Sequence, residues 1–290
     1  MIRSTSRLAV GVLGVLGVLA AAGVAAAEPK LAVSPAAVHP GDAVVVSVLG
    51  ATTPPEGKAG GQPLRFFPAK AGYQAVFAAA LDINEDHVLV EVTGGPKPVS
   101  VAITPVTFPE TKLVVEDEMA NPPKADRERI DADNRAIEQS YAKAAGAPLF
   151  TRGFRRPAGA TTSTFGEWRT FNDGHRAQHL GLDLGERENT KVAAINAGTV
   201  VLVRDTFLAG NIVVVAHGAG ISSLYFHLAK TTVAEGDAVV QGAELGRVGH
   251  TGRTTGPHLH LSIHVAGGLV DPTSFFALPL APAATAPAGT

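Results

Sequence analysis

Apolar and polar residues alternate through residues 258–265: Leu259, Leu261, Ile263 and Val265 fall on one parity, His258, His260, Ser262 and His264 on the other. A period of two predicts a half-buried β-strand. The same alternation runs through residues 178–185, where Leu180, Leu182 and Leu184 interleave with His179, Gly181, Asp183 and Gly185. Between these two stretches apolar runs at 191–195, 198–203, 211–216 and 222–227 follow in quick order, with Gly, Asn and Asp between them. That pattern predicts an antiparallel, hairpin-rich sheet.

Nearer the start, short strands are predicted at 43–48, 64–67, 74–78, 88–92 and 99–103, separated by Gly- and Pro-containing turns. Their spacing suggests a β-sandwich over residues 28–115. Pro35 and the cluster His39-Pro40-Gly41-Asp42 resemble the opening of an immunoglobulin-like module. Residues 116–148 change character: they are charged and Ala-rich, and Pro122-Pro123 can open a helix and Gly146-Ala147-Pro148 close it. Ile130, Ile137 and Tyr141 share a helical stripe. This reads as a helical connector, lying against one domain and expected to limit access to the groove of the C-terminal domain. That second β-rich domain spans 149–280, and the Ala/Pro/Thr-rich residues 281–290 are expected to be disordered. The chain as a whole is read as mainly β.

The first 27 residues do not belong to this pattern. Arg3 and Arg7 precede an apolar run from Leu8 to Val24 and then Ala25-Ala26-Ala27. This is the form of a cleavable signal peptide, so the chain is expected to be exported, periplasmic or secreted. The sequence contains no cysteine. Disulfides, thiolate metal ligands and a lipid-bearing N-terminal cysteine are thereby excluded. A net charge of −2 gives no electrostatic case for nucleic acid.

Of the ten histidines, eight fall between His175 and His264. A strand places His258 and His260 on one face, roughly 7 Å apart. Paired imidazoles suit zinc, whose ligands here must be His, Asp or Glu. His179 and Asp183 are the next candidates. A straight strand would hold them roughly 13 Å apart, near the limit for one metal, so a bend at Gly181 or at the strand's start is expected. His264 is expected to be exposed, Tyr225 to pack, and His39 and His87 to lie on the surface. His175 and His217 have no assigned role. Arg253 and Thr254, in a Gly-flanked loop, could grip a substrate.

The motifs Phe165-Gly166, 176–185, 197–200, 224–228, 248–260 and 270–272 together resemble the M23 zinc metallopeptidases of LytM/lysostaphin type. The resemblance implies a mainly antiparallel β domain with an open groove. It implies that His179, Asp183 and His260 bind Zn2+, and that His227 and His258 are the catalytic pair facing the water. It further implies hydrolysis of peptide stems or bridges of bacterial peptidoglycan. The domain before it resembles β modules that precede such domains, so a wall or protein contact through that module is a further expectation. His250 and Ser262 depart from the common pattern, in which a small residue and Glu are frequent. The alternative is a non-enzymatic regulator or wall-binding protein of the same fold.

Overall fold

The computed structural model describes residues 28–172 and 174–283. The stretch read as a signal peptide and residues 284–290 lie outside the described residues. Two sheets form the N-terminal part. One is antiparallel and four-stranded, in the order Lys30–Ser34, Ala43–Leu49, Gly72–Ala78, Phe67–Ala69. The other has five strands, in the order Ala37–Val38, Val99–Ile103, His87–Val92, Gly57–Ala59, Gln62–Pro63. Val44, Val46, Phe77, Val90 and Val101 fill the space between them, which makes this a β-sandwich.

The run Ala43-Val44-Val45-Val46 does not alternate, because its strand is buried on both faces. Ala43, with Phe67 and Val76, joins a second core that also contains Phe150, Leu182, Ile263 and Phe275 from the C-terminal part. Phe67 meets Phe150 edge-on, ring centroids 5.3 Å apart. The chain end ties the same seam: Ala43 N–H donates to Ser274 Oγ at 2.9 Å, and Asp271 N–H to the Gly41 carbonyl at 2.8 Å. Residues 281–283, expected to be disordered, instead bond along the Phe67–Ala69 strand, with Ala283 N–H donating to the Pro68 carbonyl at 3.0 Å. Residues 64–66, predicted as strand, are irregular.

The C-terminal part is built on a large sheet. The strands that bear on the site are β1 (Glu110–Leu113), β2 (Trp168–Phe171), β3 (His175–Gln178), β4 (Leu182–Gly185), β5 (Gly198–Thr206), β6 (Gly210–Gly218), β7 (Ile221–Thr231) and β8 (His258–Val265). Strands β4, β8, β7, β6 and β5 neighbour one another in that order, all antiparallel. Beside them β1, β2 and β3 form a small sheet of their own, in which β1 runs parallel to β2. Thus residues 110–113, assigned by spacing to the sandwich, pair with the C-terminal part.

The connector is helical as expected, at α1 (Lys124–Tyr141). Ile137 and Tyr141, with Ala136, pack on Leu202, Ile212, Val214 and Phe226, while Ile130 is not part of that contact. Asp133 is buried beneath the helix. It accepts from Arg204 Nε at 2.7 Å and from the Phe207 backbone N–H at 2.9 Å, so the helix is pinned to the sheet. His264 is not exposed: Tyr141 stacks on its ring at 3.8 Å, and burial pushes its pKa down to about 4. His217 is fully buried. It donates from Nδ1 to the Ala197 carbonyl at 2.7 Å and meets Ser223 Oγ at 2.8 Å.

Because one core crosses the seam, the sandwich and the large sheet are expected to unfold together, giving one calorimetric transition. Phe150→Ala should destabilise that single transition by about 3–5 kcal/mol, the usual cost of emptying a buried aromatic site. Two separate transitions, with only one shifted by the substitution, would contradict the shared core.

Candidate metal centre

The ligand candidates are delivered by strand register. Asp183 on β4 stands directly opposite His260 on β8. Directly paired antiparallel positions bring Cβ atoms to within about 5.5 Å, so short side chains can meet. His179 arrives differently. Strand β3 ends at Gln178 and β4 starts at Leu182, so the chain bends between the two candidates, where a bend at Gly181 or the strand's start is expected from the sequence. Leu180 and Gly181 turn the chain there. A Cβ at Gly181 would lie 2.5 Å from His260 Nε2 and 2.7 Å from the Leu261 carbonyl, so glycine is required for this approach.

The result is a tight cluster. His179 Nε2 lies 3.0 Å from Asp183 Oδ1, His260 Nδ1 lies 2.8 Å from the same oxygen, and the two imidazole nitrogens are 2.8 Å apart. The outer hydrogen bonds fix where the protons are. His179 Nδ1 faces the Thr164 carbonyl at 2.7 Å, so that nitrogen must donate. Ser262 donates to the Leu180 carbonyl at 2.7 Å, so its oxygen accepts from His260 Nε2 at 3.0 Å. In the neutral tautomers set this way, His179 Nε2, His260 Nδ1 and Asp183 Oδ1 are three lone pairs with no proton between them. Burial pushes the His260 pKa down to about 4, against the pull of Asp183, so its ring is neutral near pH 7. Three convergent acceptors call for a cation. Two imidazoles, one carboxylate and an open side match the donor set of a catalytic zinc site.

Two further histidines face this point. His258 donates from Nδ1 to the Gly256 carbonyl at 2.8 Å and holds Nε2 3.6 Å from Asp183 Oδ1. His227 donates from Nδ1 to the Thr251 carbonyl at 2.8 Å, and its ring centroid is 5.0 Å from that of His258. Regular alternation would not bring His227 here. Phe226 pairs with His260 and Tyr225 with Leu261, so a straight β7 would send His227 away from the cavity, with Tyr225. The backbone at His227 instead adopts φ 60°, at a shift in strand pairing. A left-handed residue in a bulge re-aims its side chain at some cost in strain. Tyr225 stays in the core as expected, and His227 turns into the cavity. Burial, helped by His260 and His258, pushes the His227 pKa down to about 3.

The cluster opens on a cavity of about 550 Å³, which Arg253 and Thr254 also line. Leu113, at the end of β1, and Val115, just before the connector, line it as well. His39, His87 and His175 are exposed and apart from it, and His250 is exposed and paired with Glu188 at 3.3 Å.

Two residues were not singled out by sequence reasoning. Ser262, noted only as a departure, sets the His260 tautomer. Arg169 on β2 donates to Asp183 Oδ2 at 2.5 Å, leaving Oδ1 to the histidines. Arg169 Nη2 also lies 3.9 Å from buried Glu167, whose other oxygen accepts from Thr111 on β1. The chain Thr111–Glu167–Arg169–Asp183 therefore runs from β1 to the cluster. Its signal in the sequence was faint, since Arg169 lies on β2, ten residues before His179 and fourteen before Asp183. Gly166 admits this arrangement: at φ 83°, a Cβ there would meet the Phe108 ring at 2.2 Å.

Residues 177–272 match the family model described as peptidase family M23, a third of the chain. The peptidoglycan DD-endopeptidase ShyA of Vibrio cholerae is 42% identical over 95 residues, covering 33% of this chain and 22% of ShyA. The DD-carboxypeptidase/endopeptidase Mpg of Neisseria meningitidis is 40% identical over 97 residues, covering 33% and 22%. The chain thus spans about a fifth of the length of these curated relatives. The crystal structure of a candidate M23 peptidase from Pseudomonas aeruginosa superposes with a TM-score of 0.64 at 28% identity, covering 82% of this chain and 94% of that one.

If Arg169 holds Asp183 in place, Arg169→Gln should weaken zinc binding by about 10- to 100-fold, the usual loss for a partner behind a metal ligand. Arg169→Lys should recover part of it. Competition against a chromogenic chelator measures this, and wild-type affinity in the Gln variant would contradict the role.

Proposed function

We propose, from the premise that residues 177–272 form a domain of peptidase family M23, that this chain is an exported zinc-dependent endopeptidase of bacterial peptidoglycan. The observation that carries the reading is the convergence of His179 Nε2, Asp183 Oδ1 and His260 Nδ1 within 3.0 Å of one another, beside the rings of His227 and His258. The names of the relatives point to DD peptide bonds as the substrate class. Peptidoglycan lies outside the cytoplasmic membrane, so this function needs export, for which residues 1–27 read as the signal. Among the described residues no helix is long and apolar enough to cross a membrane.

In this reading His179 Nε2, Asp183 Oδ1 and His260 Nδ1 hold the ion. Zinc bound there supplies Lewis acidity, both to water and to the scissile carbonyl. The rest falls to the chain's own groups. His227 and His258 each commit Nδ1–H to a backbone carbonyl, which leaves Nε2 bare. A bare Nε2 can take the proton of an attacking water as its oxygen bonds to the carbonyl carbon. The same proton then passes to the leaving nitrogen as the C–N bond breaks. The depressed pKa of His227 keeps it in the accepting form throughout the neutral range. Its fixed Nδ1 contact means that no reorientation is needed at the moment of transfer. Phe226, packed at 4.9 Å from the His260 ring centroid, shields one side of the cluster from water. A regulator without activity would not need this set of lone pairs, so the enzymatic reading is the better supported one.

Substitutions separate ligands from proton-transfer groups. His260→Ala should lose zinc and activity together. His258→Ala and His227→Ala should keep zinc and fold while losing about two to four orders of magnitude in rate. Elemental analysis gives the zinc, and digestion of purified sacculi with mass analysis of the products gives the rate and the bond cut. Loss of zinc from His258→Ala as complete as from His260→Ala would refute this division of the site, and intact sacculi after treatment with zinc-loaded wild type would refute the substrate.

A further inference from the structure

Among the described residues, the charged side chains lining the cavity are Asp183, Arg169 and Arg253. The first two are paired with each other at 2.5 Å. Arg253 is not: no carboxylate of a described residue lies within ion-pair distance of it. Its guanidinium rests instead on the ring of Phe171, 4.1 Å from the centroid. Stacking satisfies the flat face of a guanidinium and leaves its N–H edge available. Arg253 is also held by its backbone, whose N–H donates to the Leu208 carbonyl at 2.8 Å. The side chain is therefore platformed and oriented, without a counter-charge among the described residues.

That arrangement is costly when empty. Burial first, and the nearby charge of Arg169 second, hold Arg253 below the usual arginine range. A cavity that, among its described residues, keeps an unpaired cation beside a paired one is complementary to an anion with a planar fork, and carboxylate fits. The position along the chain adds direction. Arg253 lies on the loop that runs into His258 and His260, and it lines the same cavity as those groups, so an anion on Arg253 shares that cavity with the groups that act on the scissile bond.

We propose that Arg253 is the receptor for a free carboxylate carried by the residue on the amine side of the scissile bond. This rests on the reading of the chain as a hydrolase of DD peptide bonds. In the bonds cut by DD-carboxypeptidases, the amine-side residue ends in a carboxylate one carbon from the scissile nitrogen. A cross-link in which the acylated amine and a carboxylate share one carbon offers the same pair. The fixed separation lets one cation select such bonds over neutral bridges such as oligoglycine. Binding there also orients the nitrogen that must receive the proton from His227 or His258. Phe171 supplies the platform, so it is a positioning residue for this site.

The test uses the full mature chain, loaded with zinc, and two cross-linked muropeptide dimers. They differ in one group: the amine-side carboxylate is free in one and amidated in the other. Wild type should favour the free acid in kcat/KM by about 10- to 100-fold, the scale of a charged hydrogen-bonded contact. In Arg253→Ala that ratio should collapse towards one. Zinc content and melting temperature report whether the variant is folded. Should it fail to fold, Arg253→Lys decides: a reduced ratio supports the receptor, and an undiminished ratio overturns it. A ratio unchanged in folded Arg253→Ala, whatever the absolute rates, also overturns it. So does a wild type that cleaves both dimers equally. Those results leave the peptidase reading intact, whereas a wild type that cleaves neither dimer overturns both.

Discussion

Three lone pairs point at one another in this protein, and none has a proton to share. That is the constraint on which the rest of the site depends. Each is fixed from outside. The Thr164 carbonyl accepts from His179 Nδ1–H, the Ser262 hydroxyl accepts from His260 Nε2–H, and Arg169 donates to the second oxygen of Asp183. An ion-free cluster of this kind is electrostatically unfavourable, since acceptors held within 3.0 Å repel one another. A divalent cation converts the repulsion into attraction. The site is thus built to be completed by metal, and a chain without disulfides gains stability from such binding by mass action.

The fold delivers these groups through register and through two places where regular structure gives way. Pairing of β4 with β8 sets Asp183 against His260. The break at Leu180-Gly181 folds His179 back to them, and the left-handed backbone at His227 turns that ring into the cavity. Around these, the buried faces of β6, β7 and β8 leave little room for the ligand strands to shift. The N-terminal sandwich shares a core with the sheet, and β1 extends the small sheet that carries Arg169. The geometry of the ligands is therefore coupled to segments far upstream, through Thr111 and Glu167.

Much of this was legible in the sequence. Strict alternation in 258–265 gave the strand and the shared face of His258 and His260. Alternation in 178–185 gave β4, and the clustering of histidines directed attention to His179 and Asp183. What alternation could not give was a departure from itself. His227 has the parity of the buried Tyr225, so period-two reasoning points it inward, and only its place in a family motif brought it to the site. Arg169 was missed because it reaches Asp183 from another strand, and Ser262, two residues from His260 on the same face of β8, because its role depends on the distant Leu180 carbonyl, which no local spacing encodes. The burial of His264 was missed for a related reason. Its cover, Tyr141, comes from a helix more than a hundred residues earlier. The non-alternating run at 43–46 announced a strand, but not that its second face would be closed by the C-terminal part.

The central claim is that His179, Asp183 and His260 present a proton-free donor set to one ion. Anomalous diffraction from crystals of the zinc-loaded protein, collected on both sides of the zinc absorption edge, tests it most directly. The account predicts a single strong peak bonded to His179 Nε2, Asp183 Oδ1 and His260 Nδ1, at about 2.0–2.2 Å from each. A peak elsewhere, coordination through His179 Nδ1 or His260 Nε2, or no peak at the cluster in zinc-loaded protein would contradict it.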